Sequence, residues 1–306
     1  MLNLKKVLFP TDFTRCANQA FLRAWKMAKA YDADFHIFHA MILHDDDPHS
    51  PAYYFIDIGA IKQSMETTGH EKMDSLLAAY HTNGVRVVKS LEIARSAAPA
   101  ILEYAKENDI DLIVMGTHGR RGIGHVLLGS VAEEVVRCSG CPVLTIRERK
   151  EPRMLERIGQ ILVPIDFSDF SRRALVSAQK LAGEFGASLQ LLHVVEQSIH
   201  PSFYITGKSS IFDLDPEIKE KSVDAMKQMV EAMGQTDVKV DYFVSEGKAA
   251  QEIASFSEAH DSGLIVISTH GLTGIEHFLV GSVTEKVVRL ANCPVLTVKA
   301  FGKMLA

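Results

Sequence analysis

DLIVMGTHGRRGIGHVLLGS, Asp111 to Ser130, returns later in the chain as GLIVISTHGLTGIEHFLVGS, Gly263 to Ser282. Each copy opens on a short unbroken apolar run, the pattern of a strand buried on both faces of a parallel sheet. Each then passes through a glycine-rich stretch. In the first copy this leads into SVAEEVVRC, where Val131, Val135 and Cys138 stand four and three apart. That spacing predicts a helix with one apolar stripe. Strand, glycine loop and helix in this order are one step of an alternating α/β domain.

The duplication extends outward from this stretch. VLFPTDFT (Val7 to Thr14) answers ILVPIDFS (Ile161 to Ser168), which sets Asp12 against Asp166. FHIFHAMI (Phe35 to Ile42) answers LQLLHVVE (Leu189 to Glu196), which sets His39 against His193 at the same offset. CPVLTIR (Cys141 to Arg147) answers CPVLTVK (Cys293 to Lys299) at a slightly shorter one, so a single insertion or deletion separates the halves. A period of about 150 residues is too long for a solenoid, whose repeats run at roughly 20–50 residues. The unit is therefore a whole domain, present twice. Ala17, Ala20, Phe21, Ala24, Met27, Ala28 and Tyr31 form a helical stripe, and Ala174, Ala178, Leu181, Ala182 and Phe185 form its counterpart. Thr14, Ser168 and Ser171 are candidate N-caps. Five strands interleaved with four helices predict a doubly wound α/β domain with a five-stranded parallel sheet flanked by helices. The expected boundaries are 1–148 and 158–300, joined by a charged linker at 149–157 within RERKEPRMLER (Arg147 to Arg157).

Composition narrows the function classes. A chain of 306 residues with 47% hydrophobic and 23% charged residues is ordinary globular material. A net charge of −5 lacks the basic footprint of a nucleic-acid-binding protein, so no nucleic-acid partner is expected. No apolar run reaches membrane-span length, and four cysteines do not make a disulfide framework, so a cytoplasmic protein without membrane association is expected.

In an open α/β sheet the ligand crevice lies beyond the carboxyl ends of the strands. The repeated stretch begins at such an end. Gly119 and Gly129 permit close backbone approach, and the amides that open the Ser130 helix, with its hydroxyl, make an anion site. Loop amides around Gly116 to Gly119 supply a second concave nest. The stretch therefore reads as a phosphate cradle. It lacks the Gly-Lys-Ser/Thr of a Walker loop and the tight glycine spacing of a dinucleotide fingerprint.

Gly-x-x-Gly, nine residues, then Gly-Ser (Gly116, Gly119, Gly129, Ser130), with Pro10 and Asp12 after the first strand and His39–Ala40 in the second, resembles the nucleotide-binding signature of universal stress proteins. The resemblance covers both halves. It implies strand order 3-2-1-4-5 in each and an adenine-nucleotide site comprising Pro10, Thr11, Asp12, Ala40, Met115, Gly116, His118, Gly119, Arg120, Gly129, Ser130 and Val131. The Asp serves the nucleoside, the backbone after strand two serves adenine, and the glycine loop serves the phosphates. In the second half Asp166, Val194, Gly271, Gly281, Ser282 and Val283 take these places. The resemblance also implies pairing of PVLTIR with PVLTVK as an internal pseudo-dimer, with homodimerisation left open.

The halves differ at one end of this site. Ser268 stands where the first copy has Gly116, and Leu272–Thr273 where it has Arg120–Arg121. If Gly116 has positive φ, serine there is strained; if it is only a point of close approach, serine is tolerated. The two arginines can reach a polyphosphate, whereas leucine and threonine cannot. ATP is expected to bind mainly in the first half, with Mg²⁺ carried in on its phosphates. HDDDPH (His44 to His49) reads as a solvated acidic loop rather than a dedicated metal site. CSGC, Cys138 to Cys141, ends a helix rather than starting one, which argues against redox chemistry. His125 and His277 are expected as packed or loop histidines rather than phosphate ligands, and His39 and His193 as satisfied core histidines. No catalytic motif is present, so ATP is expected as a conformational ligand with at most slow hydrolysis. The alternatives are an interaction scaffold with vestigial pockets and a slow ATPase.

Overall fold

The computed structural model describes residues 3–42, 58–78, 80, 84–117, 128–148, 158–196, 210–234, 237–269, 281–299 and 303. The chain divides into two compact units, Asn3–Lys150 and Glu151–Ala306. The first runs β1 (Lys6–Pro10), α1 (Arg15–Ala30), β2 (Asp34–Ile42), α2 (Ile58–Ala78), β3 (Val87–Ala94), α3 (Ala97–Glu107), β4 (Leu112–Gly116), α4 (Ser130–Cys138) and β5 (Val143–Ile146). Its strands are parallel in the order β3-β2-β1-β4-β5. The second runs β6 (Gln160–Pro164), α5 (Asp169–Phe185), β7 (Ser188–Val195), α6 (Ile211–Leu214), α7 (Glu217–Glu231), β8 (Val240–Glu246), α8 (Ala249–Ala259), β9 (Leu264–Ser268), α9 (Ser282–Leu290) and β10 (Val295–Val298). Its order, β8-β7-β6-β9-β10, is the same topology. The short α6 is an element the alternating pattern did not predict. No described helix is long and apolar enough to cross a membrane.

Alternation along β2 decides which helix meets which face. Phe35 points toward α1, where Phe21 wedges edge-on against both Phe9 (5.4 Å) and Phe35 (5.6 Å). Full burial of such a ring contributes about 2–3 kcal/mol. On the α1 stripe Ala17, Ala20, Phe21, Ala24 and Ala28 are buried as expected, while Met27 and Tyr31 are half-buried and Trp25 takes a buried place beside Phe35. Thr14 and Ser168 cap α1 and α5, accepting from the Ala17 and Ser171 amides. Ser171 is thus a donor inside the first turn rather than a cap.

The other face carries a buried polar pair. His36 Nδ1 is 2.9 Å from the Tyr104 hydroxyl on α3, and His36 is only 4% exposed with Nε2 lacking a hydrogen-bond partner. Burial lowers the pKa of His36 and outweighs the upward pull of Asp34; Lys6 and Arg86 push it lower still. Burial, then Glu92, raises that of Tyr104. The second unit holds Gln190 on the corresponding strand, bonded to Gln160 Oε1 (2.8 Å) and to the Ser262 hydroxyl (2.8 Å). With the folded-state pKa of His36 below its unfolded value of 6.5, the unfolded chain binds more protons beneath that pH. The contribution of His36 to the stability of the first unit is therefore full above 6.5 and lost as pH falls below it. Trp25, the single tryptophan of the chain, reports on this unit. Its fluorescence-monitored urea midpoint should fall with acid in the wild type and fall less steeply in His36→Gln.

Candidate functional site

The site lies at the switch point, between β1 and β4 in the first unit. The β1–β2 ladder continues to Pro10↔Phe38 and the β4–β5 ladder to Gly116↔Ile146. Between β1 and β4 the ladder stops at Leu8↔Ile113, before either strand ends. Pro10 supplies a cause. Backbone N–H groups alternate sides along a strand, and the Thr11 amide donates to Phe38 O on β2 at 2.8 Å. Position 10 therefore faces β4, and proline has no N–H to continue that ladder. The second unit repeats the device: Ile165 N–H bonds Leu192 O at 2.8 Å, Pro164 faces β9, and the β6–β9 ladder stops at Leu162↔Ile265. A parallel sheet thus splits at its centre in each half.

Asp12 stands at the mouth of the split. Its Oδ1 accepts the Thr14 amide (3.0 Å) and the Thr14 hydroxyl (2.6 Å), so the carboxylate is tied to the start of α1. Asp166 holds Ser168 in the same way, at 3.0 and 2.6 Å. Between Asp and cap lies a residue that sequence reading missed. Phe13 and Phe167 have φ of 62° and 63°, a region that costs a residue with a Cβ about 1–2 kcal/mol. Only the local pattern Asp-Phe-Thr/Ser, repeated, hinted at it.

His39 and His193 are half-buried rather than core residues, because each lies on the part of its strand that runs past the end of strand one. They are satisfied: Nδ1 is 2.6 Å from Thr11 O and 2.8 Å from Ile165 O. Ala40 and Val194 follow, half-buried at the carboxyl end of the second strand. Pro10 at the end of β1, Thr11 after it and Met115 on β4 are buried.

Gly116 is the last residue of β4, and its φ is not in the left-handed region. A Cβ there would stand 2.8 Å from Cys16 Sγ, 3.1 Å from Cys16 C and 3.2 Å from Ala17 N. Of the two alternatives, close approach is the operative one, and what approaches is the first turn of α1. The second unit accommodates Ser268 at the end of β9, 6% exposed, with its carbonyl accepting from the Thr284 hydroxyl at 2.6 Å.

Thr117 N–H then bonds Ile146 O, and Gly129 N–H returns to Thr117 O at 2.8 Å. The neck of the glycine loop is thereby closed by one hydrogen bond, and Gly281 N–H to Thr269 O repeats it at 2.8 Å. Gly129 and Gly281 are the N-caps of α4 and α9, and among the described residues no side chain caps either helix. Ser130 and Ser282 are exposed first residues, with Val131 and Val283 half-buried behind them. The backbone of Gly281 (φ −55°, ψ 137°) suits any residue, and among the described residues a Cβ would meet nothing closer than Thr269 O at 3.6 Å. The described fold does not itself demand glycine there. His118, Gly119, Arg120, Arg121, Gly271, Leu272, Thr273, His125, His277 and the His44–His49 loop lie outside the described residues. Cys138 is exposed and Cys141 buried, and among the described residues neither is in a disulfide.

The universal stress protein family model matches the chain twice, over residues 3–147 and 157–299. A universal stress protein of Methanocaldococcus jannaschii is 36% identical over 140 residues, covering 46% of this chain and 81% of that one. One from Bacillus subtilis is 31% identical over 145 residues, covering 46% and 98%. Each such relative therefore spans about one half of this chain. The crystal structure of a universal stress protein from Archaeoglobus fulgidus superposes with a TM-score of 0.70 at 20% identity over 96% of both chains, which is a likeness of fold.

Proposed function

Because this chain belongs to the universal stress protein family and carries the family's domain twice, we propose that it is an adenine-nucleotide-binding stress-response protein whose first half is the stronger ATP site. The observation that carries the reading is the split between β1 and β4, with Asp12 on one lip and the closed neck of the glycine loop on the other. A carboxylate beside a ribose and the amides of a helix start beside phosphates are the arrangement a nucleotide requires. Ala40 and Val194 are assigned to the adenine, Ser130, Val131, Ser282 and Val283 to phosphate. Glu133 stands in the first turn of α4 and opposes a polyphosphate there. Charge neutralisation is therefore assigned to Arg120, Arg121 and Mg²⁺ carried with ATP. Leu272 and Thr273 give the second half no such charge, so it binds ATP weakly or takes a less charged nucleotide.

ATP serves as a conformational ligand. Asp12 is committed through Oδ1 to the turn that starts α1, so occupancy of the split bears on the position of that helix. Calorimetric titration of the full chain with ATP and Mg²⁺ tests the reading. One tighter and one weaker site, or a single site per chain, is the expected result. Two equal sites remove the asymmetry, and no binding leaves the scaffold reading in its place.

A further inference from the structure

We propose that His39 and His193 are positioning residues of the nucleotide sites, each locking the turn that presents Asp12 or Asp166. The inference rests on the nucleotide reading above and goes beyond it by naming what holds the carboxylate in place.

The turn after strand one is unfavourable on its own, because a phenylalanine occupies the left-handed region at its centre. Such a conformation persists only where the surroundings over-determine it. In the first unit three groups do so. The Thr11 hydroxyl accepts the Phe13 amide at 3.0 Å, Asp12 accepts from Thr14, and His39 holds the Thr11 carbonyl. In the second unit residue 165 is isoleucine, so the first of these is gone. The histidine remains at 2.8 Å from the Ile165 carbonyl, and the Phe167 turn is unchanged at φ 63°. The histidine bond and the Asp bond are what both copies share.

Chemistry fixes the histidine's state. A carbonyl oxygen only accepts, so the proton sits on Nδ1 of both rings. Each ring also braces the strained phenylalanine, with centroids 4.7 Å apart for Phe13–His39 and 4.6 Å for Phe167–His193. Lys72 Nζ lies 5.4 Å from the centroid of the Phe13 ring. Phe13 is thus braced by its neighbours, and the histidine acts on the ligand through the turn rather than by touching it. The carbonyl it grips belongs to the residue immediately before the carboxylate it orients.

Replacement of the ring separates positioning from bulk. His39→Asn places an amide N–H where Nδ1–H stands; His39→Gln places one nearer Nε2. In the full chain titrated with ATP, His39→Ala should weaken binding by about tenfold, the loss of one hydrogen bond. His39→Asn should recover most of that loss and His39→Gln should not, with the Trp25-monitored urea midpoint checking that each variant is folded. Equal affinities for the Asn and Gln variants, or wild-type affinity in all three, would overturn the proposal. A second arm needs no ligand: ¹⁵N spectra of the wild type should show the Nδ1-protonated tautomer for His39 and His193, and the Nε2-protonated form overturns the proposal. Failure of the wild type to bind ATP would count against the nucleotide reading instead.

Discussion

Gly116→Ser is expected to destabilise the first unit by about 1–3 kcal/mol, the range for overpacking a tight contact. The added Cβ would meet the α1 backbone at 3.1 and 3.2 Å and the Cys16 sulfur at 2.8 Å. Cys16 is buried and its thiol points to Ile146 O at 3.6 Å, which leaves it little room to turn away. Relief must come from movement of α1. The first turn of that helix is the one Asp12 and Thr14 hold, so the displacement reaches the proposed nucleoside end of the site. Weaker ATP binding should accompany the stability loss. Denaturation followed by Trp25 fluorescence reads the first effect and an ATP titration the second. An unchanged midpoint would show that α1 yields without cost, and that Gly116 against Ser268 explains nothing about the asymmetry.

Asp12→Asn should lower ATP affinity by about 10- to 100-fold, the scale of a lost hydrogen bond from ribose to a charged acceptor. Asparagine keeps an Oδ1 that still accepts the Thr14 amide and hydroxyl, so the cap of α1 survives. The variant thereby removes charge from the site while sparing the turn. Affinity should fall with little change in the denaturation midpoint. A parallel loss of both would mean that Asp12 is only a structural group of the turn.

The alternation of apolar runs and helical stripes was enough to read both sheets, because a strand buried on two faces leaves little freedom in composition. The duplication and the family's spacing carried the strand order and located Asp12, Gly116, Gly129 and Ser130 at the carboxyl ends. What escaped is tertiary. Pro10 reads as punctuation until the ladder it interrupts is known. For Gly116 the sequence left positive φ and close approach both open, and the choice between them rests on Cys16 and Ala17, whose approach is fixed by helix packing and invisible to spacing. Phe13 contradicts local propensity, so no sequence rule places it in the left-handed region. The His36–Tyr104 pair joins residues far apart in the chain, and His39 could be told from a core histidine only by how far β2 outruns β1.

Photolabelling of the full chain with 8-azido-ATP, followed by peptide mapping, asks most directly whether the first half is the stronger ATP site. Label is predicted on peptides of the first unit at the carboxyl ends of β2 or β4, and it should disappear when ATP is added in excess. Label confined to the second unit, or label that excess ATP does not displace, would contradict the account.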